Sequence, residues 1–318
     1  MSGGLELSVI LPTDTLDTIR KTLDHLMAQS ARDRIELVIV TPSEEALGLP
    51  DDVRAAFAAA QVVEVGSEAI MLLHRARAAG IQAARAPVVV LAETHSFPEP
   101  DWAEALIDSH REGWAAVGPA MICGNPRSKV SWANFFIDFG PWIERPEACT
   151  MSRLPGHNAA YKRDLLLGFG ADLANELSSE WGLQAKLCDQ GHELWYEPAA
   201  RTRHLNVAGR ASLPARFDHG RLWSVDCARE WPAGRRLLYI AAAPLIPFRR
   251  FPVIFREVRR TGRALDLRLI GLIWVELAAD AAGELVGYAR GGYGPSERRF
   301  ADSELHRARY AGVPQQAT

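Results

Sequence analysis

The stretch Pro87-Val88-Val89-Val90-Leu91-Ala92-Glu93-Thr94-His95-Ser96-Phe97-Pro98-Glu99-Pro100-Asp101-Trp102 decides how the chain is read. Residues 88–92 are apolar, largely β-branched and too few for an ordinary helix, so they predict a buried strand. The run ends abruptly in polar residues. In an open α/β sheet, ligands gather just beyond the carboxyl ends of such strands, and Glu93 and His95 occupy that place. Residues two apart in extended chain point to the same side, so a carboxylate and an imidazole there can grip one cation together. Pro98 and Pro100 stiffen the exit, and Asp101 is placed to cap a helix running through Leu106 and Ile107.

Working outward, residues 7–11 predict a strand stopped by Pro12, followed by the polar turn Thr13-Asp14-Thr15. Leu16, Ile19, Leu23, Leu26 and Met27 fall at helical spacing. A second strand, 35–40, ends at Thr41-Pro42, and strand, helix and strand with short links favour a parallel pair with a right-handed crossover. A short helix over 53–60, a strand over 62–65 and a helix over 67–86 complete the alternation of a doubly wound sheet. Beyond it lie a helix at 102–110, a strand at 115–122 and an irregular aromatic-rich segment at 124–149. A turn at 154–158 leads into strand 159–161, then come a helix at 180–190 and a strand at 193–196.

The character changes after about Asn206. Residues 237–248 are apolar but broken by Pro244 and Pro247. Arg249, Arg250, Arg256, Arg259, Arg260 and Arg263 surround Phe251, Val253, Ile254 and Phe255. A long apolar helix over 269–288 is interrupted by Glu276, Asp280 and Glu284, and 291–318 reads as a loose tail. The expected division is a nucleotide-sugar-binding and catalytic domain over 1–210 and a helical, Arg-rich extension over 211–318. Apolar side chains flanked by arginines suit the face of an anionic membrane, so 211–290 is where peripheral contact is expected. The other reading of this region is a helical subdomain packed on the sheet.

At 318 residues, with 48% hydrophobic and 24% charged residues, the chain has the composition of a globular protein with a real core. A net charge of -3 argues against a general nucleic-acid binder. The four cysteines form no CxxC, which excludes a zinc knuckle or a disulfide framework and suits a reducing compartment. No signal peptide and no uncharged apolar run of membrane-spanning length is read, so the expected location is cytoplasmic, peripheral on the inner membrane face. The first strand is not followed by GxGxxG, which leaves a dinucleotide enzyme without support.

Four blocks together carry a resemblance. They are Leu7-Ser-Val-Ile-Leu-Pro-Thr; Ala76-Arg-Ala-Ala-Gly-Ile; Leu91-Ala-Glu-Thr-His-Ser-Phe-Pro-Glu-Pro-Asp-Trp; and Pro155-Gly-His-Asn with Ser179-Glu-Trp-Gly-Leu-Gln-Ala-Lys-Leu, Gly191, Pro198 and His204. In this order they resemble the family 2 glycosyltransferases, inverting enzymes with a GT-A fold, over roughly residues 6 to 206. The resemblance implies a GT-A-type, mostly parallel doubly wound sheet, here with a C-terminal amphipathic helical extension. The sequence departs from the family where Glu93 and His95 replace both aspartates of Asp-x-Asp. Thr41-Pro-Ser-Glu replaces Asp-Asp-Gly-Ser, and Glu180 stands for the customary aspartate.

The resemblance implies transfer of a sugar from a nucleotide diphosphate to a glycan or lipid-linked acceptor. A divalent cation neutralises the departing diphosphate, and a carboxylate takes the acceptor proton. Glu180 is the expected base and Trp181 an acceptor platform. Pro12, Thr13, Asp14, Thr41, Arg77, Glu93, Thr94, His157 and Asn158 are expected around the donor. Glu93, His95 and His204 are the expected metal ligands, and mixed carboxylate and imidazole favour Mn²⁺ over Mg²⁺. Plainer roles stand beside these: a turn cap at Glu93, a surface imidazole at His95, a first-turn glutamate at Glu180 and turn geometry at Asp14, His157 and Asn158. The altered Glu93-Thr94-His95 segment also admits a catalytically inactive relative that only binds sugar or nucleotide.

Overall fold

The computed structural model describes residues 4–263 and 266–312. Among the described residues one nine-stranded sheet forms from β1 (Leu7–Pro12), β2 (Ile35–Thr41), β3 (Ala59–Glu64), β4 (Val88–Leu91), β5 (Ser96–Pro98), β6 (Ala116–Cys123), β7 (Cys149–Met151), β8 (Ala160–Lys162) and β9 (Leu194–His204). The order is β3-β2-β1-β4-β8-β6-β9-β5, with β7 on β9. The first half is parallel, β1 with both β2 and β4, and β2 with β3. The second half is mixed, with β8 antiparallel to β4 and to β6, and β5 and β7 antiparallel to β9. This is the α/β, mostly parallel sheet with helices that the sequence predicts.

Every residue of β1, β2 and β4 is buried, as expected for parallel strands covered on both faces. Even polar Ser8 and Glu36 are inside. Glu36 accepts from Ser8 Oγ at 2.6 Å, Gln61 Nε2 at 2.9 Å, and the Arg85 backbone N–H and Nε at 2.7 and 2.6 Å. One carboxylate thus ties β1, β2 and β3 to the segment entering β4.

Several expectations are corrected. The strand at 88–92 stops at Leu91, and Glu93 to His95 form a loop and turn into β5; the extended alternation assumed for Glu93 and His95 does not apply. Asp101 precedes the helix Trp102–Ser109 but makes no side-chain cap. The helix over 67–86 is broken at Leu72 into Ser67–Met71 and Leu73–Ala83. The residues 53–60 split between the helix Asp51–Ala55 and β3. The aromatic-rich segment contains the helix Lys129–Phe139, and the strand at 193–196 runs on through Pro198 to His204.

Pro244 and Pro247 do not break the C-terminal apolar run. They sit in the first turns of Ala243–Leu245 and Ile246–Arg260, where a missing N–H costs nothing. The stretch Ala233–Arg260 is consequently one helix long and apolar enough to cross a membrane by length and composition. The expected tail carries the helices Ser296–Leu305 and Arg307–Tyr310, while 313–318 lie outside the described residues.

The chain divides into two compact units, Met1–Ile122 with Trp142–His204, and Cys123–Pro141 with Leu205–Thr318. The first contains the apolar core of β1, β2 and β4, covered by Ile19, Leu23, Leu26, Trp102 and Leu106. The second is built on the helices Ser212–Cys227 and Leu267–Arg290. Their backbones nearly touch, since a Cβ on Gly283 would fall 2.0 Å from the Phe217 carbonyl oxygen. The three acids of the long helix recur every fourth residue and so share a face. On it Glu276 accepts from Ser212 at 2.5 Å, and Asp280 pairs with His219 at 3.1 Å and with Arg250.

Candidate active site

β1, β2 and β4 are parallel, so their carboxyl ends lie on one edge of the sheet. Beyond the end of β4 the chain passes through residues 92–95 into β5, and the β5–β9 pairing sets Ser96 opposite His204. That register brings His204, the last residue of β9, to the turn that carries Glu93 and His95. His95 Nε2 lies 3.6 Å from Glu93 Oε1, and His204 Nε2 lies 3.7 Å from Glu93 Oε2. The two imidazoles meet edge to face at 4.8 Å. Thr22 Oγ1 donates to the Thr94 carbonyl at 2.9 Å and pins the turn.

Glu93, His95 and His204 are all buried, and their ligand atoms lie within 4.8 Å of one another. One carboxylate and two imidazoles form a donor set that fits a divalent cation. Ser96 Oγ donates to Glu93 Oε2 at 2.8 Å and orients it. Ser96 carries no motif of its own and is legible only once β5 is known.

A second carboxylate faces this group from the other side of the turn 154–158. Glu180 opens the helix Glu180–Asp189, where Ser179 caps the end by accepting from the Gly182 N–H at 3.2 Å. Leu154 N–H donates to Gln184 Oε1 at 2.8 Å, and Gln184 Nε2 donates to the Tyr161 hydroxyl at 2.9 Å. These bonds clamp the turn onto the helix. Gly156 then lies so close that a Cβ there would fall 1.7 Å from Glu180 Oε2.

His157 and Arg77 join the two carboxylates. His157 Nδ1 is 3.1 Å from Glu93 Oε1 and 3.5 Å from Glu180 Oε1. Arg77, on the helix Leu73–Ala83, donates from Nη1 to Glu180 Oε1 at 2.5 Å and lies with Nη2 3.1 Å from His157 Nδ1. Asn158 takes a left-handed backbone, φ 61°, which lets its N–H reach the Leu91 carbonyl at 2.8 Å while Nδ2 approaches Glu93 Oε2 at 3.4 Å. Burial, and then the charge of Glu180, push the Tyr161 phenol far above its ordinary value.

The expected residues Arg77, Glu93, His95, His157, Asn158, Glu180 and His204 therefore form one connected cluster, with Thr94 in its turn. Pro12, Thr13, Asp14 and Thr41 form a second group at the ends of β1 and β2. There the Thr13 N–H donates to the Val40 carbonyl at 2.8 Å, and Asp14 Oδ1 accepts from Thr18 Oγ1 at 3.1 Å. Thr41 is buried, with no hydrogen-bond partner for its hydroxyl among the described residues. Trp181 stands beside Trp142, 6.5 Å between centroids, with the Arg153 guanidinium 5.4 Å from its ring. Sequence reasoning missed Ser96 and the space-making role of Gly156; the Pro-Gly-His-Asn block is the signal that contained the latter.

The family model for glycosyl transferase family 2 matches residues 8–168. No curated protein gives a significant sequence match. Among solved structures, the mannosyltransferase PcManGT from Pyrobaculum calidifontis, in complex with GDP-Man and Mn²⁺, is 16% identical with a TM-score of 0.50; the match covers 88% of this chain and 87% of that one. S. aureus TarS 1-349 in complex with UDP is 14% identical over 91% of this chain and 92% of that one, with a TM-score of 0.45. A mycobacterial protein is 17% identical over 66% of this chain and 70% of that one, with a TM-score of 0.41. At such identities the likeness is one of fold.

Proposed function

The chain belongs to glycosyl transferase family 2, and on that footing we propose that it moves a hexosyl group from a nucleotide-diphosphate sugar to a hydroxyl of a glycan or lipid-linked acceptor, inverting the anomeric carbon. The observation that carries this reading is the bracketing of His157 by Glu93 at 3.1 Å and Glu180 at 3.5 Å. A candidate metal ligand and a candidate base thus face one place.

Glu93, His95 and His204 would hold the divalent cation, which supplies charge neutralisation to the departing diphosphate. The two imidazoles support Mn²⁺ over Mg²⁺, which prefers oxygen ligands. Arg77 is placed to add positive charge beside the same phosphates, and His157, whose Nδ1 accepts from Arg77 Nη2 at 3.1 Å, to hold that guanidinium there. Arg77 holds Glu180 Oε1, leaving Oε2 toward Gly156. The acceptor hydroxyl gives its proton to Glu180 as its oxygen bonds to the anomeric carbon from the face opposite the diphosphate. The bond to the diphosphate oxygen breaks, and its electron pair leaves with the phosphate. Pro12, Thr13, Asp14 and Thr41 are assigned to the nucleotide and Trp181 to the acceptor. Donor binding and catalysis are assigned to residues 1–210, and contact with the inner membrane face to the helices beyond.

A second reading, an inactive nucleotide-sugar binder, is favoured by the replacement of Asp-x-Asp and by the ion pair that engages Glu180. A melting panel of UDP-, GDP- and dTDP-sugars with Mn²⁺, Mg²⁺ or chelator, alongside donor turnover, separates the two. Transfer predicts one donor class that stabilises the fold with Mn²⁺ more than with Mg²⁺, loss of that effect in His95→Ala or His204→Ala, and turnover of the same donor. Stabilisation without turnover in the presence of candidate acceptors selects the binder. No stabilisation by any nucleotide sugar overturns both.

A further inference from the structure

The helices Ala233–Ala242 and Ile246–Arg260, joined by the turn Ala243–Leu245, make a continuous stretch of 28 residues in the second unit. Its inner side is packed: Ala243, Pro247, Ile254 and Val258 are buried, Phe251 stacks on Trp274 at 4.9 Å, and Arg250 pairs with buried Asp280. Its outer side is open to solvent, although Phe248 touches Trp274 edge to face at 4.9 Å. Leu237, Leu238, Leu245, Phe248 and Val253 are each 52% to 65% exposed. Leu238, Ala241, Leu245, Phe248 and Pro252 recur every three or four residues, the spacing of one helix face. Leu267 and Val275 of the neighbouring long helix are also exposed.

The same stripe turns basic toward its end. Between residues 237 and 263 stand six arginines and one acid, in a chain whose net charge is -3. The acid, Glu257, is taken by Arg260 at 2.8 Å. Arg259 and Arg263, with Phe255, Gly262 and Ile270, line an open concavity of about 420 Å³ at this basic end. Arg263 is held there, 3.6 Å over the Trp132 ring. An apolar stripe with guanidinium groups at its margin matches the layering of an acyl boundary beneath anionic headgroups.

We propose that this face lies in the plane of an anionic bilayer. Leu237, Leu238, Leu245, Phe248 and Val253 enter the headgroup and acyl boundary, and Arg249, Arg256, Arg259 and Arg263 contact lipid phosphates. Crossing the bilayer is disfavoured because it would strip Arg250 from Asp280 and immerse Arg249. A second copy on the same face would set arginines against arginines about a two-fold axis. The inference goes beyond sugar transfer, since binding to vesicles is read without donor or turnover.

The test is flotation of the full chain with phosphatidylcholine vesicles, with and without about 30% phosphatidylglycerol. The anionic vesicles should bind the protein, salt should weaken the binding, and alkaline carbonate should release it. Leu245→Glu with Phe248→Glu should lower partitioning by about tenfold or more while melting and circular dichroism stay as in the parent. Arg256→Gln with Arg259→Gln should abolish the preference for anionic over neutral vesicles. Unchanged partitioning of the glutamate variant overturns the proposal, as does retention through carbonate extraction, which would mean a crossing helix. So does a failure to bind vesicles, including one accompanied by self-association that Leu245→Glu dissolves. Vesicle binding without sugar transfer would refute the proposed function and leave this inference standing.

Discussion

Glu180 Oε2 occupies the space that a side chain at position 156 would need. An alanine there must push the carboxylate or the turn aside, and displacing the proposed base by about an ångström costs up to roughly a hundredfold in rate. Gly156→Ala should therefore lower turnover by about ten- to a hundredfold, with donor affinity, read by melting shift, close to the parent's. Loss of donor binding together with turnover would mean that the turn serves the donor and not the base. Arg77 is the counter-ion of Glu180, and both side chains are largely buried. Removing one member of such a pair leaves a charge without compensation. Arg77→Gln should cost about 3 kcal/mol in urea unfolding, whereas a loss within experimental noise would show that solvent already screens Glu180. The residue types at these positions are legible in the sequence, but the bridge through His157 is not. It depends on a turn and a helix that only the folded chain sets side by side.

At the scale of elements, the legible parts are those whose pattern is decided locally. β1, β2 and β4 are unbroken apolar runs, and Glu180–Asp189 has its cap and its terminating glycine in the sequence. β5 is three residues long and owes its existence to pairing with β9. The helix Lys129–Phe139 buries Ala133, Phe135, Phe136, Ile137 and Phe139 on more than one side, which erases the single apolar stripe that sequence reading looks for. The final helices are polar, and their charges are paired, Arg307 with Glu304 among themselves and Arg299 with Asp218 of the helix Ser212–Cys227.

Two buried carboxyls give element-scale predictions of opposite sign. Burial would raise Glu36, but hydrogen bonds from Ser8 and Arg85, with the Arg85 charge, hold it below its ordinary value. Its contribution is present at neutral pH and is lost as pH falls through the folded value. Glu36→Gln should lower stability to urea at pH 7, with the gap from the parent narrowing as the solution is acidified; a gap that widened in acid would contradict this. Burial first, then the charge of Asp280, push Glu284 up to about 7. The folded chain keeps a proton that the unfolded chain releases from the ordinary carboxylate range upward, so this contribution declines as pH rises toward and through about 7. Glu284→Gln keeps an acceptor for the Tyr288 hydroxyl, 3.0 Å away. It should melt higher than the parent at alkaline pH and no higher in mild acid.

At the scale of the whole chain, polarity is distributed by role. Imidazole and carboxylate converge at the carboxyl edge of the sheet, whereas arginine and exposed leucine collect on the second unit's outer helices. A ligand that binds only the folded chain stabilises all of it, by about 2.7 kcal/mol at a hundredfold excess over Kd. The correct donor with Mn²⁺ should therefore shift unfolding of the first unit, and chelation should remove the shift. The most direct test of the account is a single-turnover measurement of donor consumption by Glu180→Gln, with the donor-induced melting shift recorded on the same sample. The account predicts a rate lower by about a hundredfold to ten-thousandfold with the melting shift retained. Donor consumption at the parent's rate would contradict it, because the carboxylate facing Glu93 and His157 would then take no part in the transfer.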